Sequence, residues 1–124
     1  MSLVLVINDD AHVRRMVHRI LSSASHTVIE AEDGEAGMAL LRDKHPTIVI
    51  TDVLMPKKEG IETIREIRQL SPDTKVIAIS GSDIGSSGPF YLQIAKKLGA
   101  DAILAKPFRE RELLQMITRV LASA

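Results

Sequence analysis

At 124 residues the chain fits one domain, residues 1–124, long enough to bury a core without disulfide or metal staples. Its 16 Lys and Arg balance its 16 Asp and Glu, and no basic run exceeds two residues, which argues against direct nucleic-acid binding. No segment approaches the roughly 18 consecutive apolar residues of a membrane span. The absence of Cys excludes thiolate chemistry, suits a reducing compartment, and leaves any metal to oxygen or imidazole ligands.

Met1 and Ser2 lead straight into the first apolar run without a signal-peptide core. That run, Leu3 to Ile7, predicts a strand ending at Asn8, Asp9 and Asp10. Asp10 suits the N-cap or first turn of the helix that follows, in which Val13, Met16, Val17, Ile20 and Leu21 mark one buried face. Thr27 to Glu30 is less apolar and reads as an edge strand. Ala36, Ala39 and Leu40 predict the apolar stripe of a second helix. Ile48 to Thr51 predicts a third strand, which delivers Asp52 ahead of Val53, Leu54, Met55 and Pro56. Ile61, Ile64 and Ile67 predict a third helix closed by Ser71 and Pro72, and Val76 to Ser80 a fourth strand. The Gly/Ser-rich stretch 81–89 exceeds the roughly 2 to 6 residues of an ordinary βα connection and reads as a surface insertion or a lid. Tyr91, Ile94, Ala95 and Leu98 predict a fourth helix ending at Gly99. Ala102 to Ala105 delivers Lys106 and Pro107, and Leu113, Leu114, Ile117, Val120 and Leu121 predict a fifth helix. The histidines, His12, His18, His26 and His45, lack metal-ligand spacing and read as surface residues.

Strand and helix alternate throughout, which predicts an α/β fold: a doubly wound five-stranded parallel sheet with helices on both faces. The strand order 2-1-3-4-5, that of flavodoxin-like sheets, is taken over by analogy; its switch point lies between the first and third strands. Ligands of such sheets collect at the carboxyl ends of the strands. Those ends carry Asn8 and Asp9, Asp52, Ser80 and Lys106. Carboxylates, a hydroxyl and an ammonium at one rim point to phosphate chemistry with a hard metal.

The acidic cluster after the first strand, the lone Asp52 followed by Met55-Pro56 and Gly60, Ser80-Gly81 after the fourth strand, and Lys106-Pro107-Phe108 after the fifth together resemble the receiver domain of two-component response regulators. The resemblance spans nearly the whole chain. It implies that Asp52 is the phosphoacceptor, a carboxylate that attacks phosphorus to form an acyl phosphate. It implies that Lys106, aimed by a cis Lys-Pro bond, pairs with a phosphoryl oxygen, and that the Ser80 hydroxyl moves to bind the phosphoryl group while Gly81 gives the backbone room. It further implies Mg²⁺ held by Asp9, Asp52 and the backbone carbonyl of Leu54. Two departures stand out. Asn8 takes the place of the first of two carboxylates, so it can reach the cation only through a coordinated water. Ile103 stands three residues before the lysine, where many receivers carry a switching Tyr or Phe; coupling would then pass through the Ser80 loop and the fourth helix.

What the resemblance implies about partners is a sensor histidine kinase or histidine phosphotransfer protein upstream, and an effector protein or fused output domain downstream. It also implies a cytoplasmic setting and no membrane contact, and it leaves open whether the fourth helix, fifth strand and fifth helix form a homodimer face. The domain would be no enzyme beyond catalysing its own phosphorylation and dephosphorylation. A haloacid-dehalogenase-like phosphohydrolase would need a second Asp where Leu54 stands. A nucleotide-binding module would need a Gly-rich phosphate loop after the first strand, and none follows it. The alternative within the fold is a pseudo-receiver, an interaction module regulated without phosphate, motivated by Asn8 and Ile103.

Overall fold

The computed structural model describes residues 2–53, 60–80, 93 and 95–122. Five strands, β1 (Leu3–Ile7), β2 (Thr27–Ala31), β3 (Ile48–Asp52), β4 (Lys75–Ser80) and β5 (Ala102–Ala105), form one sheet in the order β2-β1-β3-β4-β5. Every neighbouring pair is parallel, as the βα alternation and the borrowed order predict. The helices are α1 (Ala11–Ser23), α2 (Gly34–Lys44), α3 (Gly60–Leu70), α4, whose last turn is residues 95–97, and α5 (Glu110–Ala122).

Side-chain alternation along the strands splits the core into two layers. Leu5, Ile7, Val49, Val76 and Ala78 face Met38, Leu41, Ile64, Ile67 and Ala95, so α2, α3 and α4 cover one side of the sheet. Val4, Val6, Ile48, Ile50, Ile77 and Ile79 face Val17, Ile20, Leu21, Leu113, Met116, Ile117 and Val120, so α1 and α5 cover the other. Central strands covered on both faces have to be largely apolar, which is why β1 and the Ile48–Ile50 part of β3 are unbroken apolar runs.

Helix ends follow local chemistry. Asp10 caps α1 by accepting from the His12 amide at 2.8 Å, and Asp33 caps α2 by accepting from the Ala36 amide at 2.9 Å. In α5 the Glu112 carboxylate reaches back to the Arg109 amide at 2.7 Å, one half of a capping box.

The structure corrects three sequence expectations. In α2 the buried face is Gly34, Gly37, Met38 and Leu41, and Ala39 is exposed. Helix and sheet approach so closely here that a glycine, silent in a hydrophobicity pattern, is the contact residue. In α5 Met116 replaces Leu121 on the buried face, and Leu121 is 37% exposed. His18 and His26 are half-buried and hydrogen-bonded rather than free surface groups.

A Cβ on Gly37 would lie 2.4 Å from Cδ1 and 2.8 Å from Cγ1 of the fully buried Ile7. Gly37→Ala gains about 0.5–1 kcal/mol of helix propensity but overpacks the core, which typically costs about 1–3 kcal/mol. We expect a net loss of about 1 kcal/mol, read as a lower urea midpoint at unchanged slope. A midpoint at or above that of the parent chain would mean that Ile7 moves aside freely.

At the end of the sheet where the strands begin, Arg68 of α3 donates to the Gly99 carbonyl and to the Pro72 carbonyl, both at 2.8 Å, and pairs with Asp101. Asp101 in turn accepts from the Val76 amide of β4 at 2.8 Å. Gly99, at φ +118°, ends α4 as predicted, and a Cβ there would meet Arg68 Cγ at 2.6 Å.

His26 accepts the Ser2 amide at Nδ1, 3.2 Å away, and burial lowers its pKa below the ordinary 6.5. The unfolded chain therefore takes up this proton first as pH falls. Stability from this group is complete above about pH 6.5, falls as the pH drops toward the folded-state value, and then levels off. His26→Gln should flatten that part of the profile in urea titrations at pH 7.5 and 5.5. An unchanged profile would show that His26 contributes nothing to it.

Candidate functional site

The candidate residues Asn8, Asp52 and Lys106 sit where the strands end. Asp52 is the last residue of β3, paired in register with Ile79 of β4. The Val53 amide donates to the Ile79 carbonyl at 2.9 Å, so backbone bonds fix the chain on both sides of the carboxylate. Asp52 is only 7% exposed. Lys106 follows β5 directly through a cis bond to Pro107, as the resemblance implies, and reaches past β4 to place Nζ 3.9 Å from Asp52 Oδ2. That separation is charge pairing rather than a direct hydrogen bond. From the other side Asn8, one residue past β1 and 2% exposed, donates its Nδ2 to the same oxygen at 3.4 Å.

The Asn8 amide faces one way for a clear reason. The Asp10 backbone N–H, which can only donate, lies 2.9 Å from Asn8 Oδ1, so the oxygen must face it and the NH₂ must face Asp52. In this orientation the amide oxygen accepts from Asp10 and the NH₂ presents a donor to the carboxylate. Asp9 is exposed at the same rim, and Asp10 serves α1 as its cap. The side chain of Ser80, and the whole of Leu54, Gly81, the stretch 81–89, Tyr91 and Ile94, lie outside the described residues. Ile103 packs, partly buried, against the α2–α4 layer.

Among the described residues no three His, Cys, Asp or Glu side chains gather as a protein-only metal cage. The resemblance assigns the cation to Asp9, just past the end of β1, and Asp52, at the end of the neighbouring β3, whose carboxylates would be an all-oxygen pair. That suits a hard cation such as Mg²⁺, which keeps several waters and uses one or two carboxylates plus phosphate oxygens.

Sequence reasoning missed a second tier. Arg14 of α1 donates from one terminal nitrogen to the Asn8 carbonyl at 2.7 Å and from Nε to Glu30 Oε1 at 3.1 Å. His18 Nδ1 lies 2.6 Å from Glu30 Oε2. Two signals were available: Arg14 and His18 are spaced four apart on one helix face, and Glu30 is the charged residue within β2.

The family model for the response regulator receiver domain matches residues 4–118. The chain belongs to the response regulator receiver family. This receiver domain is 36% identical over 123 residues to the transcriptional regulatory protein CpxR of Klebsiella pneumoniae, covering 98% of the chain and 50% of that protein. It is 33% identical over 118 residues to the response regulator MprA of Mycobacterium sp. strain KMS, covering 95% of the chain and 50% of that protein. The receiver domain thus spans about half the length of these relatives. Among solved structures it superposes on the receiver domain of NtrX from Brucella abortus with a TM-score of 0.90 at 28% identity, covering 98% of this chain and 99% of that one. On the chemotaxis protein CheY4 of Vibrio cholerae the TM-score is 0.86 at 30% identity, with 97% and 98% covered.

Proposed function

We propose that this receiver domain takes a phosphoryl group onto Asp52 and uses it to switch a protein-interaction surface. The observation that carries the proposal is the convergence of three strand ends on one buried carboxylate: Lys106 and Asn8 both address Asp52 Oδ2. An Asp that merely capped a turn would need neither.

In the reaction an Asp52 oxygen attacks phosphorus. The new O–P bond forms as the bond to the donor nitrogen of a phosphohistidine, or to the leaving oxygen of a small phosphodonor, breaks and its electron pair leaves with the donor. The Lys106 ammonium pairs with the charge that builds on the phosphoryl oxygens. The Asn8 NH₂ donates to the carboxylate and holds its orientation. Mg²⁺, held by Asp9 and Asp52 with the Leu54 carbonyl, would supply further charge neutralisation at the phosphoryl group. The Ser80 hydroxyl gains a charged acceptor only after transfer, and one such bond, about 1.5–3 kcal/mol, biases a balanced loop. The domain catalyses only this change in itself and works through partners: a histidine kinase or histidine phosphotransfer protein before it, an effector or fused output domain after it, in the cytoplasm.

Acetyl phosphate with Mg²⁺ should give a single phosphoryl adduct by intact mass, and beryllofluoride should alter the amide spectrum around the strand ends. A second reading, an interaction module that works without phosphate, draws on the orientation of Asn8, which puts a neutral donor where receivers usually have a carboxylate. No adduct and no response to beryllofluoride would favour it.

A further inference from the structure

We infer that Arg14, held by Glu30, is a positioning residue that fixes the turn after β1 and so aims Asp9 at the cation. The inference rests on the reading of Asp9 and Asp52 as the groups that hold Mg²⁺. The backbone of Asn8 is tied on both sides: its amide donates to the Ala31 carbonyl of β2 at 3.1 Å, and its carbonyl accepts from Arg14 at 2.7 Å. The second tie fixes the peptide plane between Asn8 and Asp9, so the direction in which the exposed Asp9 leaves the chain depends on it. The Asn8 side chain closes the same turn through the Asp10 amide at 2.9 Å.

Arg14 is itself held. Its side chain is 19% exposed, and Nε pairs at 3.1 Å with Glu30 Oε1, whose other oxygen meets His18 at 2.6 Å. A guanidinium can bridge a carbonyl and a carboxylate at once because its donors diverge in one plane; a lysine ammonium on a flexible stem holds such a geometry poorly. The bridge joins α1 to β2 and to the end of β1, and none of its members is a ligand.

The sign of the effect separates positioning from charge. Arg14→Ala removes a positive charge from beside the turn that carries Asp9, which by Coulomb attraction alone would tighten Mg²⁺ binding. Loss of aim does the opposite, and groups that orient metal ligands commonly alter affinity by about 10- to 100-fold. Calorimetric titration with MgCl₂ alone, at fixed pH and salt, should show Arg14→Ala binding about tenfold more weakly than the parent chain. Arg14→Lys keeps the charge and should recover only part of that loss. Amide exchange supplies a readout that needs no metal: the Asp10 N–H should exchange faster in both variants while the strand amides keep their protection. Arg14→Lys carries the test should Arg14→Ala fail to fold. Unchanged or tighter Mg²⁺ binding in a folded variant overturns the inference. If the parent chain takes up no Mg²⁺, the assignment of Asp9 and Asp52 fails instead. The positioning role is then decided at Asp10, where faster exchange supports it and unchanged exchange overturns it.

Discussion

Asp52→Asn will accept no phosphate while keeping the fold. The replacement has almost the same shape, so the packing around a residue 7% exposed is preserved. An amide is, however, a poor nucleophile and cannot form the acyl phosphate. Lys106, whose Nζ lies 3.9 Å from Asp52 Oδ2, loses a charge partner. Its side chain is still 18% exposed, so solvent compensates and the stability change should stay within about 1 kcal/mol. The measurement is intact mass after acetyl phosphate treatment, with far-UV circular dichroism as the control for folding. A full adduct on the folded variant would assign the chemistry to another acid, Asp9 before any other.

Asn8→Asp will trade resting stability for cation affinity. In the parent chain the Asn8 NH₂ donates to Asp52. The variant sets two carboxylates face to face in a pocket where both residues are largely buried. At about 4 Å with an effective dielectric of about 20, the gross repulsion is about 4 kcal/mol. Lys106 and local rearrangement offset part of it, and a net loss near 2 kcal/mol is the expected result without metal. Mg²⁺ relieves the repulsion, so the variant should bind it severalfold more tightly. Because a ligand of the native state stabilises by RT ln(1 + L/Kd), where L is its free concentration, tighter binding means that Mg²⁺ should raise the variant's melting temperature more than the parent's. Equal Mg²⁺ response in the two proteins would place Asn8 outside the cation's reach.

How much of this was legible in the sequence depends on whether a feature is periodic or spatial. Strands covered on both sides must be largely apolar, so β1 and β3 announced themselves, and Asp52 and Lys106 stood out as charges at the ends of such runs. The buried face of α2 did not. Gly37 carries no hydrophobic signal, and its role is set by the nearness of Ile7, a distance that no pattern encodes. The same holds for Arg14 and Glu30: the spacing of Arg14 and His18 and the one charge in β2 hint at a charged tier, but the pairing itself follows from β2 lying beside β1. Asn8 could be recognised as a departure, but the direction of its amide depends on the Asp10 N–H, a backbone group with no signature in side-chain identity.

Arg68 makes one corner of the domain depend on a single side chain. It binds the Gly99 carbonyl, the Pro72 carbonyl and Asp101, so the connection leaving α4 is anchored to α3 and to the start of β4 at the end of the sheet farthest from Asp52. One guanidinium thus ties the ends of α3 and α4 and the starts of β4 and β5 into a single corner, so loss of that side chain would loosen all four together.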